Sequence, residues 1–97
     1  MKTIQVISKI GCPRCEDLKA WLRENTIPFE EWKLEDPAVT KHLLEDPKFT
    51  QTFCDIDGCM VYTPVLRIDE TGEYYFKELF NQMGLRIPFL KQKLDMI

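Results

Sequence analysis

Ninety-seven residues and 11.5 kDa suit one compact domain, residues 1–97, and Leu, Ile, Val and Phe supply 28 of them, more than disordered chains carry. No apolar run approaches the roughly 20 residues that cross a bilayer, so no membrane span is expected. Thirteen Lys and Arg against sixteen Asp and Glu give a net charge of −3. They leave no basic stripe to release counterions from phosphates, so no nucleic-acid partner is expected.

The start, Met1-Lys-Thr-Ile-Gln-Val-Ile-Ser-Lys, alternates instead of presenting the solid apolar block of a signal peptide, and a cytoplasmic location is the expectation. Ile4, Val6 and Ile7 predict a buried strand ending near Ser8. Gly11 breaks it, and Pro13 suits the first position of a helix, where its missing N–H is not needed. Cys15, Leu18, Trp21 and Leu22 share one face of that helix, with Arg14, Lys19, Arg23 and Glu24 mainly outside the stripe. The helix should stop by Asn25–Ile27, because Pro28 biases its predecessor away from helical dihedrals. A second strand is predicted over Phe29–Leu34.

Asp36-Pro37 and Asp46-Pro47 are two helix starts, each with Asp as N-cap and Pro at the next position, so an interrupted helix is expected there. Residues 54–63 read as a loop. Val65–Ile68, the turn Asp69–Gly72 and Glu73–Phe76 predict a hairpin. Leu79, Phe80 and Met83 suggest a short helical turn, Gly84 an interruption, and Pro88 the start of a last helix carrying Leu90 and Leu94. The order β-α-β-α-β-β-α predicts an α/β fold with a four-stranded mixed sheet flanked by helices.

The four cysteines fall into two short-range pairs, Cys12/Cys15 and Cys54/Cys59. A bridge closing four to six residues is worth roughly 2 kcal/mol in the chain-entropy account, against about 4 for one joining Cys12 to Cys59. Exchange chemistry or metal binding is therefore a better reason for close pairs than stapling. At a strand-to-helix junction, the Cys12 sulfur meets unpaired backbone N–H groups and the positive end of the helix dipole. Both favour the thiolate, the form that attacks disulfides. Arg14 adds a cation, opposed by Glu16 and Asp17. Cys15, one turn on, lies on the inward stripe, placed to resolve a mixed disulfide. For Cys54 and Cys59 three readings compete: a second redox pair, part of a four-cysteine zinc or iron site, and two small buried hydrophobes. Asp55-Ile56-Asp57-Gly58 lacks the third acidic position and closing Glu of a calcium loop and reads as a turn. His42, the only histidine, reads as a surface or partly packed residue.

Ser8-Lys9-Ile10-Gly11-Cys12-Pro13-Arg14-Cys15 resembles the active-site block of the glutaredoxin-like branch of the thioredoxin superfamily. Ile27-Pro28-Phe29-Glu30-Glu31 and Tyr62-Thr63-Pro64-Val65-Leu66 are similar to its second-strand and cis-proline segments. The resemblance covers residues 3–76 and implies a thioredoxin-like fold, a cis peptide before Pro64, and Pro64 packed against the redox pair. It makes Cys12 and Cys15 catalytic, and Lys9, Pro13, Arg14, Thr63 and Pro64 the candidate substrate-binding residues, Thr63 pairing with the substrate strand. Lys9 reads either as a partner for a glutathione carboxylate or as a solvated strand-end lysine. Where glutaredoxins carry two glycines and an acidic residue to cradle glutathione, this chain has Lys77-Glu78-Leu79-Phe80.

The expected activity is thiol–disulfide oxidoreduction of protein or low-molecular-weight disulfides, serving electron transfer and cell redox homeostasis. No bound cofactor or metal is expected on this reading, and glutathione and a flavoprotein reductase are the two candidate reductants. The alternative is a metal-binding module in which Cys12, Cys15, Cys54 and Cys59 hold zinc or an iron–sulfur cluster.

Overall fold

The computed structural model describes residues 3–94; Met1 and Lys2 of the alternating start lie outside it. In chain order the elements are β1 (Ile4–Ser8), α1 (Pro13–Glu24), β2 (Glu30–Lys33), α2 (Pro37–Leu44), α3 (Pro47–Phe53), β3 (Cys54–Asp55), β4 (Gly58–Cys59), β5 (Val65–Ile68), β6 (Glu73–Tyr75), β7 (Phe80–Asn81), β8 (Gly84–Leu85) and α4 (Ile87–Lys93). Four strands form one mixed sheet in the order β2-β1-β5-β6. β1 runs parallel to β2 and antiparallel to β5, and β5 pairs antiparallel with β6. The fold class is α/β, as the alternation of elements implied.

β1 is central, and all five of its residues are buried. Successive side chains alternate across a strand, and the core divides accordingly. Ile4 and Val6 of β1 and Leu66 and Ile68 of β5 pack with Leu18 and Leu22 of α1 and with Leu90 and Leu94 at the end of the chain. Ile7 and Val65 point the other way and pack with Leu43 of α2, Phe49 and Phe53 of α3, and Tyr74 of β6. Fully burying a Leu, Ile or Phe side chain contributes about 1.5–3 kcal/mol, so each face of the sheet holds its own helices.

Three helices begin in one way. Asp36 accepts from the Ala38 N–H at 2.9 Å and Asp46 from the Lys48 N–H at 3.0 Å, each with proline at the next position. Cys12 does the same at α1 with sulfur in place of oxygen. α2 and α3 are separate, as the second Asp-Pro required.

The structure departs from expectation in three places. Residues 54–63 are not all loop: β3 and β4 pair Cys54 with Cys59 and Asp55 with Gly58 around the two-residue turn Ile56-Asp57, and Gly58 supplies the positive φ (127°) that ends it. After β6 the helical turn is a single 3-10 turn, Lys77–Leu79. Phe80 and Met83 belong instead to the small hairpin β7–β8, in which Phe80 pairs with Leu85 and Asn81 with Gly84. Lys19 is not on the outer face of α1. It is 6 % exposed, because its position one turn beyond Cys15 faces β2, where Glu31 meets it.

Candidate active site

β1 ends at Ser8, and the chain turns through Gly11 (φ 75°) into α1. Cys12 occupies the N-cap, with extended dihedrals, φ −105° and ψ 99°. The Cys15 N–H donates to its Sγ at 3.1 Å, using one of the donors that a helix start leaves unpaired. Cys12 is half-buried and Cys15 is 1 % exposed. The two are joined as a disulfide with Cα atoms 5.2 Å apart. One sulfur is reachable and the other is shielded, as the three-residue spacing on a helix implied.

The segment before β5 closes on this turn. The Thr63–Pro64 peptide is cis, Pro64 is buried, and the Thr63 hydroxyl lies 3.4 Å from Cys12 Sγ. Residues 51 apart in sequence thus share one sulfur. Beside them runs a groove of about 150 Å³ lined by Arg14, Tyr62, Thr63, Pro64, Phe76, Lys77 and Phe80. Its walls are aromatic, with the Tyr62 and Phe76 rings stacked at 5.8 Å and 7°. Its cations lie on those walls: the Arg14 guanidinium sits 5.2 Å from the Phe80 ring centre, and Lys77 Nζ 5.6 Å from that of Phe76.

Of the residues singled out in the sequence, Cys12, Cys15 and Thr63 meet at the sulfur, and Arg14, Thr63 and Pro64 line the groove. Pro13 is exposed as the first residue of α1. Lys9 is exposed and lines a different cavity of about 300 Å³, with Gly11, Glu16, Lys19, Glu31 and Glu35 among its walls. Phe76, Lys77 and Phe80 were not recognised as groove walls. They follow β6, and nothing local in the sequence says that this segment returns to the start of α1.

A charged network lies behind the Cys12–Cys15 turn. Lys19 Nζ is 2.8 Å from Glu31 and 2.9 Å from Glu16, and the Ser8 hydroxyl donates to the same Glu31 carboxylate at 2.7 Å. The hydrogen bond to Glu31 holds the Lys19 ammonium above the ordinary lysine pKa. The Lys19 and Ser8 hydrogen bonds hold Glu31 below the usual carboxylate range.

Cys54 and Cys59 form a second disulfide on the β3–β4 hairpin. The four sulfurs therefore divide into two bridges. Among the described residues no three His, Cys, Asp or Glu side chains converge in a manner that could hold a metal ion, so the four cysteines are not gathered into the single ligand set of the metal-binding alternative. None of the described helices is long and apolar enough to cross a membrane.

No protein-family model and no curated protein matches the chain. Solved structures do. A point mutant of the thioredoxin-like protein BC3987 aligns over 100 % of both chains at 28 % identity, with a TM-score of 0.65. The unmutated BC3987 aligns over 92 % of this chain and 96 % of its own at 27 % identity and a TM-score of 0.60. The chain has a thioredoxin-superfamily fold, similar to that of BC3987. Glutaredoxin 1 from Francisella tularensis, crystallised with cacodylate, shares the fold at 22 % identity and a TM-score of 0.53, over 98 % of this chain and 94 % of that one. The thioredoxin-like fold and the Cys12–Cys15 disulfide together suggest a redox function.

Proposed function

We propose that the protein is a dithiol–disulfide oxidoreductase of protein or low-molecular-weight disulfides. The observation that carries this reading is the placement of Cys12: an N-cap sulfur, half-exposed, touched by Thr63 at 3.4 Å, with a 1 % exposed Cys15 one turn behind it. In the reduced protein, the Cys12 thiolate attacks one sulfur of the substrate disulfide. A Cys12–substrate mixed disulfide forms and the other substrate sulfur leaves as a thiolate. Cys15 then attacks Cys12 Sγ and expels the second substrate thiol. Two electrons pass to the substrate, and the Cys12–Cys15 disulfide remains for a reductant to clear.

The groove beside Pro64 supports a substrate segment lying extended against Thr63, with Arg14 and Lys77 at its rim. Glutathione and a flavoprotein reductase are the candidate reductants, and a reducing cytoplasm is the compartment that this cycle suits. The potential belongs in the interval between thioredoxin and the glutaredoxins, about −270 to −200 mV.

The test is turnover of an oxidised protein disulfide driven by NADPH, through glutathione with its reductase or through a thioredoxin reductase. Cys12→Ser should abolish turnover, and Cys15→Ser should accumulate a mixed disulfide at Cys12 detectable by mass. Full activity in Cys12→Ser would overturn the mechanism.

A further inference from the structure

The second disulfide differs from the first in its surroundings. Cys54 is the C-cap of α3, its N–H donated to the Thr50 carbonyl, so the residue sits at the negative end of that helix. Asp55 follows it directly, and Asp57 stands in the turn, its N–H held by the Asp55 carboxylate at 2.8 Å. The cation on the same cleft is Lys77, whose Nζ rests against the Phe76 ring. Cys12, by contrast, starts a helix and receives an N–H on its sulfur. A disulfide accepts electrons more readily when its reduced thiolate is stabilised. Cys12 has that stabilisation; Cys54 and Cys59 share their cleft with the carboxylates of Asp55 and Asp57.

Access and position complete the case. Cys59 is exposed and Cys54 half-buried, and both open on a cleft of about 460 Å³. Tyr62, Phe76 and Lys77 line that cleft and also the groove beside Pro64. From Cys59 to Thr63 the chain takes four residue steps, at most about 14 Å, and Thr63 touches Cys12 Sγ.

We propose that Cys54 and Cys59 form a second redox couple, of lower potential than Cys12/Cys15, which passes electrons to it within the chain. This rests on the redox reading of Cys12 and Cys15 given above. The Cys59 thiolate attacks Cys12 Sγ of the oxidised first pair, forming a Cys12–Cys59 disulfide and releasing Cys15 as a thiolate that takes up a proton. Cys54, losing its proton, attacks Cys59 Sγ and expels Cys12. The Cys54–Cys59 disulfide forms, the Cys12–Cys15 dithiol is restored, and two electrons have moved between the pairs. A fully reduced molecule thus stores four electrons for disulfide substrates.

The experiment is a redox titration of the whole folded protein in dithiothreitol buffers, with acid quenching, alkylation and tryptic mapping. Cleavage after Lys9, Arg14, Lys19, Lys48 and Arg67 separates Cys12 from Cys15 and leaves Cys54 with Cys59 on one peptide. Two transitions are expected, with the Cys54–Cys59 equilibrium at least tenfold on the reducing side, about 30 mV. When the reduced protein receives one equivalent of oxidant, the disulfide should appear at Cys12–Cys15 and migrate to Cys54–Cys59 at a rate independent of protein concentration. Without a reductant, the reduced wild type should cleave two equivalents of substrate disulfide, and Cys54→Ser/Cys59→Ser only one.

A Cys54–Cys59 bridge that opens only on unfolding, a disulfide that stays at Cys12–Cys15, or migration proportional to concentration overturns the proposal and leaves the first pair's role intact. A Cys12–Cys15 bridge that does not open overturns both.

Discussion

At the scale of single residues, the chemistry depends on what surrounds one sulfur. The Thr63 hydroxyl donor adds to the Cys15 N–H already aimed at Cys12. A hydrogen bond to a charged group contributes about 1.5–3 kcal/mol, and 1.36 kcal/mol is one pKa unit. Thr63→Val should therefore raise the Cys12 thiol pKa by about one to two units, read from the pH dependence of its alkylation by iodoacetamide in the reduced protein. An unchanged profile would show that the hydroxyl does not act on the thiolate. Lys19 gives a second residue-scale prediction. Its side chain is 8 % exposed and that of Glu31 25 %, so removing Glu31 strands a buried ammonium with Glu16 alone. Glu31→Ala should cost about 2 kcal/mol after allowance for partial solvation, seen as a lower urea midpoint at unchanged slope. The Glu31 pKa is depressed in the folded state, so this contribution is present above the unfolded carboxylate value and is lost as pH falls through the folded one. Lys19 was misread because its charge suggested solvent, although its spacing from Cys15 placed it on the inward stripe.

Among the elements, helix starts were the most legible. A capping Asp before Pro needs only adjacent residues, so α2 and α3 could be separated by reading Asp36-Pro37 and Asp46-Pro47. Their energetics differ, however. Asp36 caps Ala38 on an exposed turn, whereas Asp46 also accepts the Tyr74 hydroxyl at 2.6 Å. Asp36→Ala should cost about 1 kcal/mol. Asp46→Ala should cost about 2, since a half-buried hydrogen bond is lost with the cap. At 4–8 °C per kcal/mol for a domain of this size, the second variant should melt roughly 4–8 °C below the first. Equal melting temperatures would mean that the Tyr74 bond contributes nothing. The hairpins were harder to read. Asp57-Gly58 marks a turn, but two-residue strands carry too few positions for a period to show, and β3–β4 and β7–β8 therefore passed as loop and helix.

The whole molecule joins two cores across one sheet, and its polar seam runs through the face that holds Phe49 and Phe53. Gln5 accepts from Arg67 at 2.7 Å, Arg67 donates to the Tyr74 oxygen at 3.3 Å, and Tyr74 donates to Asp46. Burial, with the Asp46 hydrogen bond, pushes the Tyr74 hydroxyl up to about 12. A group whose folded pKa is raised favours folding fully below its unfolded value and loses that contribution as pH rises. Unfolding free energy should therefore fall between about pH 10 and 12, and Tyr74→Phe should flatten that part of the urea-derived profile. Tyr75, also raised to about 12, and Lys19 leave a residual slope; an unaltered slope in Tyr74→Phe would remove Tyr74 from the account.

By itself, the sequence determined the features that rest on neighbours along the chain. These were the strand-to-helix junction at Cys12, the three-residue spacing that exposes one sulfur and shields the other, the two Asp-Pro caps, and the order of elements that sets helices on the faces of one mixed sheet. Tertiary structure alone decided what meets across distance. Thr63 reaches Cys12, Phe76 and Phe80 wall the groove, Glu31 pairs with Lys19, and the cleft at Cys54 and Cys59 shares Tyr62, Phe76 and Lys77 with that groove. Short-range patterns follow from backbone geometry and hydrogen bonding within a turn, which a few adjacent residues specify. Long-range contacts follow from the register of β5 against β1 and from packing on the sheet, which depend on the whole fold at once.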